Sequence, residues 1–380
     1  MAATILRPPD VSFSFSEKVA SQRNAEGTSQ LVNARDFQAR PLQVTWEMTK
    51  AISWQTRKPR ASARSRPDRN ELATAEAFHL VDQVAALGVP LLALTGGDPL
   101  SRPDLLPIVQ YACRRSVRTS LTVFPTPLLT PEKISALKEC GLMRMAFWLH
   151  GSTPAWHDRI SGVPGSYRST LRAIGWCQEA ELPLQLNTTI ARWSYHDLDP
   201  LMDLMTRFDV VLWSVFFLVP ASPEQMAELL SAEEHENVFA KLHHAAERVP
   251  FRIKTTEGQH YQRYVLQQRA RESRKGLSGD DRAWLEQGMH DSKSFLFINH
   301  AGEVFPSRFL PLSAGNVMAQ PLSSVYRDAP LFASLRDSSR LKGKCGRCPA
   351  RTVCGGSRAR AYALTGDPLA EEPCCAHQPR

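Results

Sequence analysis

The sequence predicts an α/β fold, a barrel or open sheet of parallel strands, followed by a smaller cysteine-rich unit. Three observations predict it. From residue 42 to residue 249, apolar stretches with strand character alternate with stretches of helical spacing. Each strand-helix pair is long enough for the right-handed crossover that joins parallel strands. The pattern then breaks, and five cysteines crowd the last forty residues.

Residues 1–40 show no sustained periodicity and read as a loose arm. Strands are expected at 42–48, 90–94, 119–124, 143–149, 184–190 and 210–219. Helices are expected at 74–87, 105–113, 131–140, 167–180, 198–208 and 232–249. In the first of these, Ala77, Leu80, Val81, Val84 and Leu87 form one apolar face. Thr130-Pro131-Glu132 is a helix start, with Thr as cap and Pro in the first turn, and Gly141 ends that helix. Beyond 250, a strand is expected at 251–256 and a charged helical stretch at 262–290. A hairpin at 295–299 and 303–305 turns over Ala301-Gly302. The chain thus divides into an arm (1–40), a barrel-like unit (41–250) and a cysteine-rich unit (251–380). In such folds ligands meet the C-terminal ends of the strands.

Hydrophobic residues make up 43% and charged residues 22%, the balance of a soluble globular protein. The first thirty residues lack the apolar segment of a secretory signal. The longest apolar run, 210–220, is about half of what a membrane-spanning helix needs. A cytoplasmic protein without a membrane partner is expected. The net charge of +8 is partly local, in Lys50, Arg57, Lys58, Arg60, Arg64, Arg66 and Arg69. That cluster reads as a solvated basic loop or as a mouth that attracts anions such as an acidic peptide. Nucleic acid is not the expected partner.

Three constellations carry chemistry. Cys345-Gly-Arg-Cys348, then Cys354-Gly-Gly, then Cys374-Cys375 can surround one metal centre, and tetrahedral thiolate sites suit zinc or an iron–sulfur cluster. Lys342, Lys344, Arg347 and Arg351 nearby are expected to favour the thiolate form. Thr95-Gly96-Gly97-Asp98-Pro99 follows the second strand. Its glycines let the backbone approach a ligand, and a tight turn capped by Asp98 is the alternative. His150-Gly-Ser152-Thr-Pro154 and Asn187-Thr-Thr189 place polar residues at two further strand ends, for ligand contact or for capping. His235, His243 and His244 lie on a polar helix without metal-ligand spacing and read as solvated.

Over residues 41–379 these pieces resemble the radical S-adenosylmethionine (SAM) family, in its branch with a C-terminal SPASM domain. "LTGGDPL" matches the family's Gly-Gly-Glu/Asp-Pro motif, and the tail from "KCGRCPARTVCGG" to "EEPCC" matches the auxiliary-cluster half of a SPASM domain. The resemblance implies a partial (β/α)6 barrel. It gives Thr95, Gly96, Gly97, Asp98, Pro99, Ser152 and Asn187 to cofactor binding, and Cys345, Cys348, Cys354 and Cys374 (or Cys375) to one [4Fe–4S] cluster. A second auxiliary cluster would use positions that here hold Ser307 and Arg358.

The family's Cys-x3-Cys-x2-Cys loop falls on "AISWQTRKPRASA", framed in register by "VTWEMTK" and "RASA". Its three cysteines are Ile52, Thr56 and Pro59 here. Isoleucine and proline have no donor atom, and threonine is a poor iron ligand. The SAM-chelating cluster is therefore lost, and with it most of the reason for SAM to bind there. No catalytic residue is assigned. Bulky Ile52, Trp54 and Pro59 are expected to fill the old site, with Arg57, Lys58 and Arg60 on its rim. The expected role is a non-radical binding or partner protein, holding a peptide, a porphyrin-like acid or a partner enzyme. The alternatives are an active peptide- or porphyrin-modifying oxidoreductase whose loop has been replaced, and a zinc-stabilised scaffold.

Overall fold

A computed structural model describes residues 39–52, 66–272 and 295–379. The arm, most of the basic loop (including Trp54, Thr56, Arg57, Lys58, Pro59, Arg60 and Arg64) and residues 273–290 of the charged helical stretch lie outside the described residues.

The described chain begins with β1 (Gln43–Glu47), α1 (Thr74–Ala86), β2 (Leu91–Thr95), α2 (Leu105–Arg114), β3 (Arg118–Val123), α3 (Pro131–Glu139) and β4 (Leu142–Trp148). Two helices follow β4, α4 (Pro154–Ser161) and α5 (Ser166–Glu179), where one was expected. Then come β5 (Leu184–Ile190), α6 (Leu198–Met205), β6 (Val210–Phe217), α7 (Pro223–Met226), α8 (Ala232–Ala246), β7 (Arg252–Thr256) and α9 (His260–Glu272). The remainder holds β8 (Phe295–Ile298), β9 (Glu303–Phe305), β10 (Gly315–Asn316) and four short helices, α10 (Leu322–Asp328), α11 (Pro330–Arg336), α12 (Gly343–Arg347) and α13 (Arg358–Thr365).

All the described strands join one sheet, in the order β10-β9-β8-β1-β2-β3-β4-β5-β6-β7. Strands β1 to β7 run parallel, and β8 pairs parallel with β1, Gln43 opposite Phe295. The six barrel strands are therefore extended by β7 at one edge and β8 at the other. Strand β7 approaches β8 through side chains, because Lys254 of β7 sets its Nζ 3.9 Å from the ring centre of Phe295 in β8. The sheet runs through residue 250 without a break.

Strand alternation sorts the side chains. Val44, Trp46, Leu92, Leu94, Leu121, Met145, Phe147, Leu186, Trp213 and Val215 are buried in one core with Leu80, Val84, Ile108, Ile174 and Leu242 of the helices. Each such aliphatic side chain contributes about 1.5–3 kcal/mol by leaving water. The alternating positions Thr45, Glu47, Thr95, Ser120, Gln185, Asn187, Ser214 and Lys254 are polar. Parallel strands buried on both faces are normally apolar throughout. The second face is mixed, because Ala93, Ala146, Trp148 and Phe216 share it with these polar residues. Among the described residues no helix is long and apolar enough to cross a membrane.

Candidate metal centre and barrel mouth

Cys345 lies in α12, Cys348 caps its C-terminus, and Cys354 closes the next turn. Gly355 and Gly356 follow, both with φ of +67°, a region that favours glycine. Their reversal lets the Gly356 amide donate to the Cys354 sulfur at 3.4 Å and the Ser357 amide to Glu372 at 2.7 Å. The Glu372 amide in turn donates to the Cys345 sulfur at 3.2 Å. A cavity of about 340 Å³, its open mouth included, is lined by Cys345, Cys348, Cys354 and Cys375 together with His260, Arg263 and Lys344.

Cys374 is not in that lining; its thiol is buried beside Arg360 and Glu372, and burial pushes it up to about 11. The fourth thiol on the cavity is therefore Cys375, not Cys374. Lys344 favours the thiolate of Cys374 and Cys375 as expected, but burial outweighs it. Burial raises Cys345, Cys354 and Cys375 above the usual thiol range, outweighing the cations. Such thiols ionise when a metal takes the proton's place. Among the described residues no three His, Cys, Asp or Glu side chains converge on a single ion.

The positions that the resemblance gives to a second auxiliary cluster are occupied by a closed polar network. Ser307 Oγ donates to Glu257 at 2.7 Å, and Ser357 Oγ to the other carboxylate oxygen at 2.5 Å. Glu257 holds φ of +54°, a strained backbone for a residue with a side chain. Arg358 donates to the carbonyls of Pro368 and Ala370. These residues do not fit a second cluster.

His260 and Arg263, at the start of α9, reach the thiol cavity although the sequence reading did not single them out. Their signal was positional: they follow the C-terminal end of β7. His235 corrects an expectation. It is buried, stacked on Phe217 at 5.2 Å between ring centres, and burial holds it near pKa 4.

At the barrel mouth, the glycines of Thr95–Pro99 serve a close approach of backbone to backbone. Gly97 N–H donates to the Thr49 carbonyl at 2.7 Å and Asp98 N–H to that of Ala51 at 2.6 Å. A Cβ on Gly96 would lie 2.5 Å from the Thr49 oxygen, and Gly96 has φ of +147°. Thr95 ends β2 opposite Glu47. Asp98 is fully buried, caps the turn that starts at Pro99 through Leu100 N–H at 3.2 Å, and accepts from Thr126. Ser152 is held by Asp197, its amide at 2.6 Å and its hydroxyl at 2.5 Å. Asn187 accepts from Gln185 at 2.7 Å on the mixed face. Thr95–Pro99 and Ser152 stand at or just past the C-terminal ends of their strands, whereas Asn187 lies in the middle of β5, opposite Trp148 at the end of β4, and the amides of Gly97 and Asp98 are already engaged.

The residues that flank the loop beginning at Ile52 are tied together. Glu71 Oε1 accepts from Thr49 Oγ1 at 2.8 Å, Lys50 N–H at 3.0 Å and Asp68 N–H at 3.0 Å, so it ties together the two sides of the loop. His300 lies between Glu47, at 3.4 Å, and Asp68, at 3.6 Å.

The Radical SAM superfamily matches residues 51–205. The chain is 34% identical to the AdoMet-dependent heme synthase of Methanosarcina barkeri, over 89% of this chain and 97% of that protein. It is 28% identical to the PqqA peptide cyclase of Rhizobium meliloti, over 82% of this chain and 80% of that one. Its fold is shared with Streptococcus suis SuiB, solved bound to S-adenosylmethionine, with a TM-score of 0.70 at 15% identity over 97% of this chain and 84% of that chain. The parallel barrel, the Gly-Gly-Asp-Pro turn, the cysteine-rich end and this near full-length likeness agree: the chain belongs to the radical SAM superfamily, in its SPASM branch, as a member without the Cys-x3-Cys-x2-Cys motif.

Proposed function

We propose that the chain is an oxidoreductase of this family, acting on a tetrapyrrole carboxylic acid, whose cluster loop has been replaced. Its electron-carrying centre is at Cys345, Cys348, Cys354 and Cys375. The observation that supports this best is the four-thiol cavity at the end of a chain that parallels a heme synthase over nearly its whole length. A [4Fe–4S] cluster bound there would supply one-electron transfer. The chain's own part is to exclude water and to direct N–H groups at sulfur, as Glu372 and Gly356 do. The polar residues on the mixed face of the barrel, Lys254 among them, offer partners for carboxylates. A peptide substrate is the second choice, since the cyclase likeness is lower. The cysteines are all free, in keeping with a reducing, cytoplasmic setting.

Ile52, Thr56 and Pro59 do not fit a SAM-chelating cluster, and no step is drawn through one. That donor set favours a second reading, in which the chain binds the tetrapyrrole without radical chemistry. Titration of the anaerobic protein with haem, followed by the Soret band, tests the shared part. Conversion of a propionate-bearing haem precursor under dithionite, followed by mass spectrometry, then separates the two. Binding with conversion supports the oxidoreductase, and binding without it supports the binding protein. A flat titration defeats both.

A further inference from the structure

His260 opens α9, lines the thiol cavity and is fully buried. Neither of its ring nitrogens has a hydrogen-bond partner among the described residues. Such an orphan costs about 1–3 kcal/mol, and native proteins keep few of them. Glu372, which also lines the cavity, acts on the ring as a nearby charge without a hydrogen bond to it, and three other neighbours are rings. Phe239 stands at 4.7 Å, His235 at 5.0 Å and Phe217 at 6.4 Å between ring centres. His235 already engages the Ser231 carbonyl through Nδ1 at 2.9 Å. Arg263, on the same side of α9, repeats the pattern. Its terminal nitrogens bond Glu236 and Gln267, while its buried Nε has no partner and the side chain lines the cavity. His377, also on the cavity, is different, because its Nδ1 lies 3.3 Å from the Gln267 amide.

We propose that His260 donates a hydrogen bond to a sulfur of the cluster bound in this cavity and so raises its reduction potential. The inference rests on the reading of the cavity as a cluster site. Four thiols suffice for the irons of a [4Fe–4S] cluster, which leaves the imidazole for a sulfide or thiolate sulfur. An N–H directed there stabilises the reduced, more negative state, as outer-shell donors do. His260 takes no part in making or breaking bonds.

The test uses the full chain, purified anaerobically, beside His260→Phe and His260→Gln. Iron and sulfide are measured, and the midpoint potential is followed by EPR. His260→Phe is expected to keep its iron and shift to a more negative potential. His260→Gln, which retains an N–H donor, shifts less. Should His260→Phe fail to hold iron, pulsed EPR of the otherwise unmodified chain labelled with nitrogen-15 histidine decides. An imidazole coupling that persists in His377→Phe supports the assignment, and no such coupling overturns it. Full iron with an unchanged potential in His260→Phe overturns the hydrogen bond alone. An unmodified chain without iron overturns the cluster reading, and this inference with it.

Discussion

Arg360 and Glu372 form an ion pair at 2.8 Å with both side chains sealed from solvent. The same guanidinium donates to the carbonyls of Leu218, just past β6, and Glu257, just past β7. One side chain thus fastens the cysteine-rich end to the mouth of the barrel. Burial pushes the Glu372 carboxyl up, but the adjacent Arg360 charge and its hydrogen bonds more than offset this and hold it well below the usual range. Removing one partner leaves the other charge buried and alone, at a cost of about 3–5 kcal/mol. Arg360→Met and Glu372→Gln should each lower the urea midpoint by a corresponding amount. A change below about 1 kcal/mol in either would show that the pair is not the fastening.

Gly97→Ala should destabilise the barrel mouth by on the order of 2–4 kcal/mol. A Cβ there would land on the Ala51 carbonyl oxygen, inside van der Waals contact, and that oxygen is held by backbone. Thermal melts measure it. A neutral outcome would mean that residues 49–51 can move aside.

The adjacent cysteines should separate cleanly. Cys375→Ala is expected to lose most bound iron, because its sulfur lines the cavity, whereas Cys374→Ala keeps it. Iron analysis of the two variants checks this, and the reverse pattern would return the fourth position to Cys374.

Acid should weaken the fold through two buried histidines. Burial holds both His157 and His235 near pKa 4, below the ordinary 6.5. The unfolded chain then takes up protons that the native chain refuses. Their contribution is complete above pH 6.5 and is lost as pH falls toward about 4, at most about 3.4 kcal/mol each. His157 Nδ1 accepts from the His150 amide at 3.1 Å, and glutamine can replace that acceptor. His157→Gln should flatten the pH profile of the urea midpoint over that window. An unchanged slope would place the proton uptake elsewhere.

The barrel is legible in the sequence because its periodicity is local. The strands Leu184–Ile190 and Glu303–Phe305 fall where alternation places them. Helix α4 escapes, although Thr153-Pro154 repeats the start signal of Thr130-Pro131, because it follows a strand end directly. The burial of His235 depends on Phe217 and His260, which come from other elements, so a polar helix gives no sign of it. The pairing of β8 with β1 joins distant parts of the chain and leaves no local trace. The cysteine spacing points to a metal centre, but adjacent Cys374 and Cys375 share that spacing, and only packing separates them.

One cluster is expected at the C-terminal thiols, and none at the loop that holds Ile52, Thr56 and Pro59. Iron, acid-labile sulfide and zinc in the anaerobically purified chain test it most directly. About four irons and four sulfides per chain are expected, all lost when Cys345 and Cys348 are changed to Ala. About eight irons, iron that survives that double change, or zinc without sulfide would contradict it.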